Sequence, residues 1–205
     1  MDEKITTAVT GGDKYDTYAS MLLKHKTAMK YNFYFEALLI DYAMLEDRLT
    51  AFLWAAGALN DVDKFALGNK RNKTQLLWLY TAYTGKDKLS SLKNISAKID
   101  VILAMIDFAK KDYVGDDRYL TALHKGLQEI DLDGLKTALT ALHEWRGYRN
   151  EIIHGAMTKN VYSLNEKLEE KAAAGLAYAR TIDNESKKLK RRKYIRKSVN
   201  MPPKK

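Results

Sequence analysis

Cysteine is absent from the 205 residues, which removes disulfides, cysteine-bound metals and a thiol nucleophile. Proline occurs only as Pro202 and Pro203, and glycine only 11 times, so little interrupts helices upstream. No apolar run approaches the roughly 18 residues needed to span a bilayer. The opening Met1-Asp2-Glu3-Lys4 lacks the basic-then-apolar order of a signal peptide. There is no Walker loop, no GxGxxG, no HExxH, no alternating Val/Ile/Thr run and no internal repeat. These absences lead to the expectation of a soluble cytoplasmic protein with no membrane segment, no metal and no cofactor.

The net charge of +9 is unevenly placed. Residues 187–205 hold 10 basic side chains and no acidic one, leaving 25 basic against 26 acidic in residues 1–186. Charge therefore divides the chain into a near-neutral body, 1–186, and a basic tail, 187–205, with 1–12 read as a loose leader. Such a tail attracts a phosphate backbone with strong salt dependence and little sequence preference. Its candidate RNA contacts are Lys187, Lys188, Lys190, Arg191, Arg192, Lys193, Arg196 and Lys197, with Tyr194 available to stack. A nuclear-localisation-like run, a membrane-surface patch and a solubilising end are the alternatives. Flexibility is expected beyond Ile195.

What the body has is helical periodicity. Leu38, Leu45, Leu49, Phe52 and Leu53 mark one stripe of a helix over about 32–57. Shorter helices are predicted after Asp13, over 73–83, and after Asp116-Asp117. Longer ones are predicted over 89–111, from Asp131 or Asp133 to Gly155, and over 160–190. The fold class is therefore all-α, a helical bundle of four to five main helices with a short basic C-terminal extension.

The helix ending at Gly155 carries the chemistry. Leu135, Ala138, Leu142, Trp145 and Ile152 form its apolar stripe, and Arg149 falls on that same line. A guanidinium there is costly unless it meets an anion or a wet cleft. His154 follows five residues later, and imidazole is the side chain suited to proton transfer near neutral pH. His25, His124 and His143 are not spaced for a shared metal.

The order Arg149-Asn150-x-x-x-His154 resembles the Arg-x4–6-His signature of the HEPN superfamily, small all-α domains of which many are metal-independent ribonucleases. The resemblance covers the motif helix and the general plan. It implies Arg149 and His154 as catalytic residues with Asn150 assisting; Tyr148 and Glu151, by contrast, read as supporting or exposed residues, with Tyr148 available to stack on a base. It also implies RNA as substrate, a homodimer with a composite site, and a setting in toxin–antitoxin or phage defence, with an antitoxin partner such as a nucleotidyltransferase.

The chemistry is self-consistent. The 2′-hydroxyl attacks the adjacent phosphate, imidazole moves the proton, and the arginine fork holds the charge growing on the phosphate oxygens. On a regular helix, however, Arg149 and His154 point about 140° apart. Two other readings stay open. In one, Arg149 pairs with Glu46, Asp41 or Asp107 inside the bundle and the domain serves only assembly. In the other, the protein is a non-catalytic nucleic-acid-binding subunit working through its tail.

Overall fold

The computed structural model describes residues 11–59, 65–89, 91–155 and 167–199. Every regular element among them is a helix, and the one β pairing is an isolated antiparallel bridge between Leu59 and Leu67. The order is α1 (Gly11–Lys30), α2 (Tyr34–Ala55), α3 (Lys73–Thr84), α4 (Ile95–Ala109), α5 (Arg118–Leu127), α6 (Leu132–Gly155), α7 (Leu168–Arg191) and α8 (Lys193–Ser198). The chain is all-α. Against the expected four to five main helices, the described residues hold eight of graded length, from the 6 residues of α8 to the 24 of α6 and α7. None of these helices is long and apolar enough to cross a membrane.

Local chemistry sets several boundaries. Asn94 is in an extended conformation and its side chain accepts from Ala97 N at 2.8 Å, so α4 begins at Ile95 rather than near Leu89. Asp117 caps α5 through Leu120 N at 2.8 Å, and Asp131, not Asp133, caps α6 through Gly134 N at 2.9 Å. The first helix starts at Gly11, inside the expected leader, while residues 1–10 and the expected start of the last long helix near 160 lie outside the described residues.

The core is organised around α2, which packs most extensively on α7 and also on α1 and α4. Leu38, Leu45, Leu49, Phe52 and Leu53 of α2 are fully buried, as are Ile99, Ile102 and Ile106 of α4. Each such side chain contributes about 1.5–3 kcal/mol relative to exposure. The close seam between α2 and α7 uses small residues, Ala37 against Ala172, with Gly175 one turn on. A Cβ at Gly175 would lie 2.7 Å from Asp41 Oδ2 and 2.8 Å from Trp145 Cζ2, so glycine is what lets α7 approach both α2 and α6.

The charge boundary at 186/187 falls within α7. Leu189, Ile195 and Val199 are buried, so the basic stretch up to Val199 is the end of α7 followed by α8, seated on α5. Helical order continues past Ile195 to Ser198, against the expected flexibility, because apolar residues interleave the basic ones. Any Cβ at Gly126 of α5 would overlap Ile195. Residues 200–205 lie outside the described residues.

Candidate functional site

Helix α6 buries Leu135, Leu139, Leu142, Trp145 and Ile152 and is fastened to α7 by the Trp145 indole N–H, which donates to Lys171 O at 2.7 Å. That packing fixes where Arg149 goes. Its guanidinium lies over the Tyr42 ring of α2, 3.9 Å from the centroid, and its Nη1 donates to Asn150 Oδ1 at 3.1 Å. Of the three carboxylates expected to neutralise it from within the bundle, two are engaged by lysines and the third, Asp41, is not within ion-pair distance of it. Glu46 takes the buried Lys98 at 3.0 Å, Asp107 takes Lys111 at 2.5 Å, and Asp41 sits beside His25. Among the described residues, no carboxylate is within ion-pair distance of Arg149.

Asn150 and His154 are four apart, hence about 40° round the helix and about 6 Å along it. The Arg149 fork bonds Asn150 while it lies over Tyr42. Among the described residues, no hydrogen bond joins Arg149 or Asn150 to His154. Asn150 is half-buried and His154 exposed at the helix end, with Gly155 the last helical residue. The arrangement is a desolvated cation held by an aromatic plate, an amide beside it, and an imidazole in solvent one turn further on. It can bind an oxyanion and exchange a proton with it.

Of the supporting residues, Tyr148 is half-buried with Lys171 Nζ 5.8 Å from its ring centroid, and Glu151 is exposed. A second guanidinium escaped the sequence reading. Arg146 is half-buried, one turn before Arg149 and four residues before Asn150, and its Nε is enclosed without a hydrogen-bond partner among the described residues. The signal was present in the spacing, since 146, 149, 150 and 153 follow one another along a helix face.

A buried polar pair joins α1 and α2. His25 and Asp41 are both buried, with His25 Nε2 3.2 Å from Asp41 Oδ1 but without hydrogen-bond alignment. Burial pushes the Asp41 carboxyl above its usual range, with His25 working against that shift. Asp41 adjoins Tyr42 in sequence and touches the seam at Gly175 and Trp145. Sequence spacing placed His25 among isolated histidines, although it shares the α1 face of Tyr18, Leu22 and Met29.

No protein-family model, characterised protein or solved structure matches this chain. The site is therefore read from its own geometry.

The predicted RNA contacts at the C-terminal end divide into two groups. Lys187 pairs with Asp183 at 2.5 Å, Lys188 with Glu185 at 2.7 Å, and Arg192 with Glu129. Tyr194 donates its hydroxyl to Glu129 at 3.0 Å, and Arg196 lies on Trp54, 3.5 Å from the ring, donating to Trp54 O at 2.6 Å. Burial alone lowers the Arg196 pKa to about 10. Those five are occupied in holding the structure together. Lys190, Arg191, Lys193 and Lys197 are exposed.

The remaining histidines have local roles. His143 lies 3.0 Å from Asp100, and His124 meets Lys111 O at 2.9 Å while packing on Phe108. Among the described residues, no three histidine or carboxylate side chains converge as a metal site would need.

Proposed function

We propose that this protein is a HEPN-like endoribonuclease that cleaves RNA by 2′-hydroxyl transesterification, without requiring a metal. Arg149 and His154 are its catalytic residues, and Asn150 positions the Arg149 fork. The observation that carries the reading is the state of Arg149, half-buried on Tyr42 and bonded to Asn150, with none of the bundle's candidate carboxylates within ion-pair distance of it. A guanidinium kept desolvated but without a described counter-ion suits an arriving phosphate.

In this reading the scissile phosphate lies against the Arg149 fork. His154 exchanges the proton with the 2′-hydroxyl or with the departing 5′-oxygen, leaving a 2′,3′-cyclic phosphate. A composite site formed by two chains would supply the second proton-transfer group, since one exposed imidazole cannot serve both oxygens at once. The protein acts in the cytoplasm, on cellular RNA, in a toxin–antitoxin or phage-defence setting, with an antitoxin partner such as a nucleotidyltransferase.

The test is incubation of wild type, Arg149→Ala and His154→Ala with total RNA in EDTA, each protein checked by circular dichroism. Cleavage by wild type alone, with cyclic-phosphate ends, supports the proposal. RNA left intact by folded wild type sinks it. Light scattering of wild type at assay concentration tests the dimer.

A further inference from the structure

The loop that precedes α3 and the basic C-terminal helices are more than a hundred residues apart in sequence, yet the fold joins them. Asn69 Nδ2 donates to Val199 O at 3.1 Å. Asn72, fully buried, donates to Gly57 O at 2.8 Å and accepts from Asn69 N at 2.8 Å, which holds the loop rigid. A Cβ on Gly57 would lie 3.7 Å from Val199 and 3.9 Å from Asn72, so loop, α2 end and α8 end meet at one point. The Arg196 latch on Trp54 fastens α8 to the same corner.

Segments 65–75 and 187–199 together contain eleven basic residues and no acidic one. Lys187, Lys188, Arg192 and Arg196 are committed to structural contacts, whereas Lys70 in the loop, Lys73 at the start of α3, and Lys190, Arg191 and Lys193 in the C-terminal helices are exposed; Arg71 and Lys197 are exposed too, while making contacts of their own. Lys193 and Lys197 are one turn apart on α8, and Lys197 is two residues from the carbonyl that Asn69 grips. Cations from two distant segments are therefore fixed on one corner, at the C-terminal end of α2, about 18 Å along that helix from Tyr42.

We propose that the Asn69–Lys73 loop and α8, with the end of α7, form one surface that binds the phosphate backbone of RNA. The choice of RNA rests on the ribonuclease reading above; the surface itself rests on the contacts just given. A bilayer is the weaker match, because the apolar residues of these helices, Leu189, Ile195 and Val199, are buried and leave nothing to insert among lipid chains. Base-specific readout is not expected either, since Tyr194 is tied to Glu129. Binding is dominated by phosphate charge and falls steeply with salt.

The test measures fluorescence anisotropy of a labelled oligouridine of about 20 nucleotides, with every protein in the His154→Ala background so that the probe survives. Three proteins are compared over a salt series: the background alone, Lys70→Glu/Arg71→Glu/Lys73→Glu, and Lys193→Glu/Lys197→Glu. Thermal melts establish that each is folded, and Lys70→Gln/Lys73→Gln stands in should charge reversal unfold the loop. Each set should weaken binding by about tenfold or more near 0.1 M salt, and the loop set should flatten the log–log salt slope by about 2. Loss from the α8 set alone, with the loop set like the background protein, overturns the two-segment surface. Equal binding by all three overturns it as well. Stronger binding of the background protein to phosphatidylserine vesicles than to RNA assigns the surface to lipid instead. Failure of wild type to cleave RNA, with binding lost as predicted, would remove the ribonuclease reading and leave this surface standing.

Discussion

Two guanidinium groups lie flat on aromatic rings of α2, Arg149 on Tyr42 and Arg196 on Trp54, about 18 Å apart along the helix axis. The aromatic contact is alike, 3.9 Å in one case and 3.5 Å in the other, but the hydrogen bonds differ. Arg196 donates to the backbone carbonyl of Trp54 itself, on the helix it covers, and so ties α8 to α2. Arg149 donates to Asn150, the next side chain on its own helix, a bond that adds no tie between elements. A cation–π contact therefore does not declare a role. What the fork does with its remaining donors decides whether the arginine is a latch or a receptor.

The comparison breaks most visibly in activity. Arg149→Ala and His154→Ala should each lower RNA cleavage by about 10²–10⁴-fold, in line with the loss of one charge-stabilising or proton-transfer group, while melting close to wild type. If Arg149→Ala instead abolishes folding, Arg149 is a latch too and the assembly-only reading gains. Arg196→Ala should do the reverse. Losing the stacked contact and the carbonyl bond should cost about 1–3 kcal/mol in denaturant unfolding, with cleavage per folded molecule nearly unchanged.

A third stacked arginine sharpens the contrast through pH. Arg48 lies 4.3 Å from the Tyr18 centroid and meets the Asp183 carboxylate, at 2.6 Å. Burial raises the Asp183 pKa, but hydrogen bonds from Lys187 and Arg48 outweigh it and hold the carboxyl below its usual range. A depressed carboxyl contributes stability above its unfolded pKa of about 3.9 that is lost as pH falls through the folded value. Urea titrations should show wild type weakening below about pH 4 and Asp183→Asn weakening less over that range. Arg196→Ala removes a ring contact and a bond to a backbone carbonyl, and should change the acid profile less than Asp183→Asn does.

The smallest effect concerns the plate. Tyr42→Phe keeps the ring and should change cleavage by less than about twofold, whereas Tyr42→Ala should cost on the order of tenfold, the value of a partly desolvated cation–π contact. Equal effects from the two substitutions would show that the Tyr42 hydroxyl, not the ring, holds Arg149.

The helices were legible because their apolar stripes repeat at 3.6 residues, and α2, α3 and α5 fall within a few residues of the pattern. Arg149 was legible by the same rule, as a charge standing on an apolar stripe. Applied evenly, that rule also marks Asp41 on α2, His25 on α1 and Lys98 on α4, all of them buried. It does not separate Arg149 from these, since spacing says that a charge faces inward and not what it meets there. Lys98 meets Glu46, His25 meets Asp41, and Arg149 meets Tyr42 and Asn150.

Local sequence was enough for the all-α class, the cap at Asp117, the end of α6 near Gly155 and the excess of cations after residue 186. These depend on near neighbours along the chain, through backbone hydrogen bonds, side-chain caps and the face on which successive residues fall. Tertiary structure decided the partners. It gave Glu46 to Lys98, laid Arg149 on Tyr42, and folded the basic stretch down through Leu189, Ile195 and Val199 until α8 met the Asn69 loop. That Glu46 neutralises Lys98 and Asp183 meets Arg48 depends on helix packing across more than fifty residues of chain, whereas the Asp107–Lys111 and Asp183–Lys187 pairs are local. That packing is set by side-chain volumes such as the missing Cβ of Gly175, which one-dimensional periodicity does not encode.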